Sequence, residues 1–278
     1  MRKIFPITFC ISIVLLIGCS APTDEKAPKS KAYEELVTLF TEWREFQHPE
    51  LIAGVPDYSA AAMRKQHNEL KNWQARLQAF DTAGWPVKHQ IDWYLVWAEM
   101  NGLDFDHRVV RPWERDPAFY AWFYLYPSDV PEREGPNIYG AIDMQLTPQP
   151  LSTNSAVNIA IRLRQAGAVY ESAKKNLTGN ARDLWVLGER SIREQNEDLK
   201  TFATAQEAVY PDLALAAREA AAAGESFAAW IAEQAGTKTG VSGIGKADYD
   251  WCLKNVHLVP YTWQEEVVLM ERELARAW

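Results

Sequence analysis

Gly240-Val241-Ser242-Gly243-Ile244-Gly245-Lys246 has the spacing of a phosphate-binding loop: a glycine, four residues, then Gly-Lys. In such a loop the backbone amides cradle a polyphosphate. That chemistry also needs Ser or Thr at the next position to hold Mg²⁺, and a strand feeding the loop. Residue 247 is Ala, and the segment from Ser226 to Gln234 has a helical pattern. The stretch therefore reads as a glycine hinge before a helix N-terminus, whose free N–H groups could receive a ligand carboxylate. The five histidines, His48, His67, His89, His107 and His257, form no His-Glu-x-x-His pair. His89, Asp92, Glu99 and Asp106 follow one another at steps of three and seven, which places them on one helix face. Metal ligation there is weighed against a solvated acidic face with a local His–Asp pair, and the second is expected. No catalytic residue and no metal ligand set is assigned. Cys252, in Tyr249-Asp250-Trp251-Cys252-Leu253, reads as a small buried apolar residue rather than a nucleophile.

Pro112-Trp113-Glu114-Arg115-Asp116-Pro117-Ala118-Phe119-Tyr120-Ala121-Trp122-Phe123-Tyr124 is too aromatic for a casual loop. Aromatic side chains bury large areas, so the segment is expected to be stapled over a helical core. Its functional reading is one wall of a cleft for an extended ligand. Candidate cleft-lining residues are Trp113, Tyr120, Gly245, His257 and Tyr261.

The elements that must position these residues are helices. Leu36, Leu39, Phe40, Trp43 and Phe46 form one apolar stripe, and Met63, Leu70, Trp73, Leu77 and Phe80 another. Pro86 opens a third helix carrying Ile91, Tyr94, Leu95, Trp97 and Ala98. Prolines and aromatics break the pattern over 107–150, leaving an irregular crossing segment with one short helix at 117–126. Helices resume after Ser152-Thr153-Asn154-Ser155, with Ile159, Leu163, Ala166 and Tyr170 on one face. Asn180 is predicted to cap a long helix reaching Val209. Pro211 restarts an Ala-rich helix to Ala235, a glycine-rich loop covers 236–245, and a short helix covers 246–255. Thr262-Trp263-Gln264-Glu265 is a capping box for the last helix. Strand alternation is nearly absent. The expected class is all-α, a multi-helix array with an irregular aromatic and Pro-rich crossing segment.

The N-terminus fixes an expected address. Arg2 and Lys3 precede an apolar run, Ile4 to Ile17, that is too short to span a bilayer and has the length of a signal-peptide core. Leu16-Ile17-Gly18-Cys19 is a lipobox. Residues 1–18 are therefore expected to be a lipoprotein signal peptide, Cys19 the lipidated residue, 19–31 a tether, and 32–278 the helical domain. Acyl chains on Cys19 would make a stable membrane anchor. No Asp follows Cys19 directly, which favours the outer membrane, periplasmic side, of a Gram-negative cell. Formal net charge is −8, which argues against nucleic acid as a partner and against electrostatic docking on anionic lipid.

Three stretches carry a family resemblance: Asp92-Trp93-Tyr94-Leu95 running to Arg111-Pro112-Trp113-Glu114-Arg115-Asp116-Pro117; the turn Asn176-Leu177-Thr178; and Gly243-Ile244-Gly245-Lys246 through Asp248-Tyr249 to His257. Together they resemble the bacterial domain-of-unknown-function family numbered 885, many of whose members are exported lipoproteins. The resemblance implies a mostly helical, zincin-like metallopeptidase relative. Its metal motif, His-Glu followed by Pro-Gly-His, belongs to a C-terminal half that this sequence does not contain. No catalytic or metal residue is carried over, and zinc is expected only in that absent half. The expected function is the N-terminal helical part of a lipid-anchored, zinc-peptidase-like protein, inactive alone, taking peptide substrate with its missing half. The alternative is a non-enzymatic helical lipoprotein binding a ligand or partner through its aromatic segment.

Overall fold

The apolar stripes of the first three helices meet in one cluster. In the computed structural model, which describes residues 32–126 and 136–278, α1 (Tyr33–Gln47), α2 (Ala60–Gln78) and α3 (Val87–Phe105) bring together Leu36, Leu39, Trp43, Leu70, Leu77, Val96 and Met100. The signal segment, Cys19 and the tether at 19–31 lie outside the described residues. Between α1 and α2, β1 (Leu51–Ile52) and β2 (Val55–Pro56) form a minimal antiparallel hairpin. Its two turn residues, Ala53 and Gly54, both have positive φ, as a hairpin turn that follows strand twist requires.

The second half builds the larger core. After the single turn of α4 (Pro112–Arg115), Ser152 caps α5 (Thr153–Leu163), and α6 (Ala166–Asn176), α7 (Arg182–Gln206) and α8 (Pro211–Ala235) follow. A connection of only four residues, 207–210, turns α7 back onto α8. Ala214, Ala217, Ala221 and Ala228 are fully buried on α8, and these small side chains let the two backbones approach. Gly224 continues the stripe where a Cβ would overlap the carboxamide of Asn196 on α7. The array is all-α, as expected, and ends in α9 (Lys246–Asn255) and α10 (Trp263–Ala277). The Thr262/Glu265 capping box is present at the start of α10. Among the described residues, no helix is long and apolar enough to cross a membrane.

Two local expectations are corrected. The segment 117–126 is not a helix: it divides into a 3₁₀ turn at Pro117–Tyr120 and β3 (Phe123–Tyr124), which pairs in parallel with β4 (Ile142–Asp143). Phe119, Tyr120, Trp122 and Phe123 are all buried, and their spacing would also suit one broad helix face, so the apolar pattern does not decide the conformation. Gln195 of α7 accepts the N–H groups of both Trp122 and Phe123, replacing helical partners. Nor does Asn180 cap α7. Ala181 holds the cap position, and Ser242 Oγ accepts from the N–H of Asp183 and Leu184 at 2.8 and 3.3 Å. The cap comes from the glycine-rich loop, far away in sequence. Asn180 Oδ1 serves that loop instead, accepting from the N–H of Thr239 and Gly240.

Candidate functional site

A groove lies between α1 and α3, with a cavity volume of about 820 Å³. Its apolar walls come from the flanks of the two stripes, exposed Val37 and half-buried Phe40 on α1 and exposed Leu95 and half-buried Leu103 on α3. Val256, just after α9, lines the groove beside Gly102, where a Cβ would make ordinary van der Waals contact with Val256 Cγ1 at 3.5 Å.

Asp92, Glu99 and Asp106 all line this groove. The sequence places them on one helix face, and that face borders the groove, with Glu99 still exposed to solvent and Asp92 and Asp106 half-buried. Seven helical residues rise about 10 Å, so the three carboxylates are strung along the groove instead of converging. Among the described residues, no group of three or more His, Cys, Asp and Glu side chains gathers as a metal site would need.

Each carboxylate has a different environment. Asp92 Oδ2 accepts a 2.7 Å hydrogen bond from the Tyr33 hydroxyl, and the Tyr33 ring stacks on His89 at 3.7 Å between centroids. The expected His–Asp pair is thus a Tyr–Asp pair with the histidine lying on the tyrosine face. Glu99 reaches Arg44 only at 3.5 Å. Burial pushes the Asp106 carboxyl up to about 7, with no charge or donor among the described residues to offset it. Cys252 stands close enough to Asp106 that its thiol is pushed up by burial and then by that carboxylate. A thiol so placed stays protonated and is a poor nucleophile.

Asp106 owes its position to a change in helix type. After Phe105 the chain widens into a π-turn over Asp106–Val110, and Arg111 then takes a left-handed φ of 44°. A π-turn of this kind often marks a functional site, and a non-glycine residue in this region costs energy the surroundings must offset. The surroundings are a polar network. His67 Nε2 contacts Asp104 Oδ1 at 3.1 Å, Asp104 Oδ2 accepts from Arg108 Nε at 2.6 Å, and His107 Nε2 meets Gln66 Oε1 at 3.0 Å. Gln66 in turn donates to the carbonyls of Phe46 and Gln47 at the end of α1. The two imidazoles stack in parallel, 4.9 Å between centroids. Burial, then the neighbouring His67, pushes His107 down to about 4, against the pull of Asp104. No local spacing links His67 to His107, so pattern reading misses this pair.

The candidate cleft residues lie elsewhere. Trp113 and Tyr120 are buried, with the Tyr120 hydroxyl donating to the Trp113 carbonyl at 2.8 Å. His257 and Tyr261 are exposed, and Gly245, also exposed, holds a φ of 83° at the start of α9. None of the five lines the groove. The aromatic segment is a staple. Arg115 donates to the carbonyls of Val109 and Val110 and, across the fold, to those of Val241 and Ser242. Gly179 N–H donates to the Glu114 carbonyl at 2.9 Å, and a side chain at Gly179 would strike Arg115. Thus the stretches 111–117, 176–179 and 240–242 meet in one structural knot. No protein-family model, no curated protein and no solved structure matches the chain.

Proposed function

We propose that this chain is a ligand-binding helical module tethered to the cell envelope through Cys19, on the periplasmic side of an outer membrane, and that it takes an extended peptide bearing basic and apolar side chains. The observation that carries the reading is the groove between α1 and α3, with apolar walls and three carboxylates spaced along one side. Their intervals of about 10 Å match one turn of a polyproline II chain, three residues at ~3.1 Å each, so basic residues at every third position fall on one side and would each meet a carboxylate. The aromatic segment is core here, which moves the binding reading from that segment to the groove. The test uses a fluorescent heptapeptide of Lys and Leu, with Lys at every third position, against its Glu counterpart. The Lys peptide is expected to bind roughly tenfold or more tightly, with a preference that Asp92→Asn/Glu99→Gln/Asp106→Asn removes. Equal binding of both peptides, or binding untouched by the triple substitution, overturns the reading.

A second reading is favoured by α10, none of whose residues is buried. In this reading the chain is the helical N-terminal part of a lipid-anchored, zinc-peptidase-like protein, supplying groove and peptide while another half supplies metal and catalyst. The family resemblance supports it. Reading the gene beyond codon 278 for His-Glu and a further histidine decides between a module and a half.

A further inference from the structure

The segment that leads into α1, outside the described residues, has the sequence pattern that the groove asks of a ligand. Residues 20–31 read Ser-Ala-Pro-Thr-Asp-Glu-Lys-Ala-Pro-Lys-Ser-Lys, with Lys26 and Lys29 three residues apart and two prolines, Pro22 and Pro28, of the kind that favours polyproline II backbone. One turn of that conformation is three residues and about 9 Å, close to the interval between Asp92 and Glu99. Such a turn sorts the segment into three edges. Thr23, Lys26 and Lys29 share one, while Asp24 and Glu25 fall on the other two together with Ala21, Pro22, Ala27 and Pro28.

The chain also arrives at the right place. Tyr33, the first residue of α1, donates to Asp92, and Arg44 stands beside Glu99, so α1 and α3 run in the same direction and the chain enters at the Asp92 end of the groove. A turn at 30–32 would lay the preceding residues back along it, with Lys29 at Asp92, Lys26 at Glu99 and Thr23 at Asp106. Asp92 and Glu99 keep charge for such a partner. The Tyr33 hydroxyl is neutral, and Arg44 reaches Glu99 only at 3.5 Å with both side chains about half exposed, a kind of pair that is worth little. Position 23 brings a hydroxyl rather than a charge to Asp106, the carboxyl whose burial works against ionisation.

We infer that residues 20–29 seat in this groove as an intramolecular occupant, Lys29 on Asp92 and Lys26 on Glu99, which a free basic peptide must displace. The inference rests on the groove reading and adds its regulation. A segment joined by so short a connection acts at millimolar effective concentration, so even a seat of ~0.1 mM affinity would weaken binding of a free peptide roughly tenfold.

Two measurements on the full chain in detergent test this. Carbodiimide coupling, which joins a lysine amine to a touching carboxylate as an amide with loss of water, should link Lys29 to Asp92 and Lys26 to Glu99 within one chain. Mass spectrometry reads those links with no peptide present. Lys26→Gln/Lys29→Gln should raise the affinity for the Lys and Leu heptapeptide roughly tenfold. Lys174→Gln/Lys175→Gln, the same change of charge on α6, should leave that affinity within about twofold. Absence of both cross-links, cross-links that join two chains, or an equal rise in affinity in the two variants each overturns the proposal. Heptapeptide bound equally by the parent and Lys26→Gln/Lys29→Gln overturns it too and leaves the groove reading standing. Cross-links that form while neither of those chains binds the heptapeptide do the reverse: the seat stands and the peptide reading fails.

Discussion

Asp106 concentrates what is unusual about the groove. It sits where α3 widens into a π-turn, inside an apolar cavity, and its carboxyl rises to about 7 from an ordinary 3.8 because burial penalises the charge. Between those values the native chain holds a proton that the unfolded chain has released, so this residue subtracts stability progressively as pH rises through the window. Asp106→Asn keeps the shape without the charge. At pH 8 it should stabilise the protein by about 2 kcal/mol, once screening through the open side of the groove is discounted. At pH 3.5 it should make almost no difference. Thermal melts of the two proteins at both pH values check this, and a gain of equal size at each pH would show that the carboxyl is not desolvated in the native state. The same residue supplies the charge that a basic ligand would meet, which gives a reason for a site to retain a side chain that costs stability. Peptide binding should accordingly strengthen as pH rises past 7.

At the scale of elements, α7 and α8 are held by a contact that leaves two polar atoms unsatisfied. Asn196 is fully buried, and neither its Oδ1 nor its Nδ2 has a hydrogen-bond partner. It fits only because position 224 has no side chain. Gly224→Ala should therefore cost about 2–3 kcal/mol despite the better helix propensity of alanine. Asn196→Ala in the same chain should recover most of that loss, because it removes both the obstruction and the unsatisfied amide. Urea unfolding of the two single variants and the double variant reads the coupling, and strictly additive losses would show that the two residues do not touch. Elements governed by local spacing were legible without coordinates: the stripes of α1 and α2, the Ala-rich α8, and the Thr262 box, each set by residues within a turn or two. Elements governed by distant partners were not. Ser242 caps α7 from 59 residues away, and Gln195 holds the amides of Trp122 and Phe123 out of a helix, so no window around 117–126 or 180 contains the deciding residue. The groove was half legible. The common face of Asp92, Glu99 and Asp106 follows from their spacing, but that α1 and Val256 also line the groove, and that His107, next to Asp106 in the chain, stacks on His67, depends on how three helices meet.

The groove and the proposed anchor at Cys19 are related by the length of chain between them. Tyr33, the first residue of α1, lines the groove, and thirteen residues, 20–32, separate it from Cys19. Such a length spans at most about 45 Å when fully extended, so a lipidated Cys19 would confine the groove to the layer next to the membrane. The net charge of −8 would work against attraction to an anionic surface. The lipid would then be the sole attachment, and a basic peptide in that layer would be drawn toward the protein. Two outcomes follow from substituting Cys19→Ala. The chain should leave the membrane fraction or remain unprocessed, since among the described residues no helix could replace the anchor. Its affinity for the Lys and Leu heptapeptide should stay the same as that of the detergent-solubilised parent, because no groove residue is altered. Fractionation with and without detergent reads the first outcome, and anisotropy reads the second. Membrane association that persists in the variant and still needs detergent for release would sink the lipid-anchor reading. Loss of peptide affinity on an intact fold would instead place part of the binding site in the N-terminal segment.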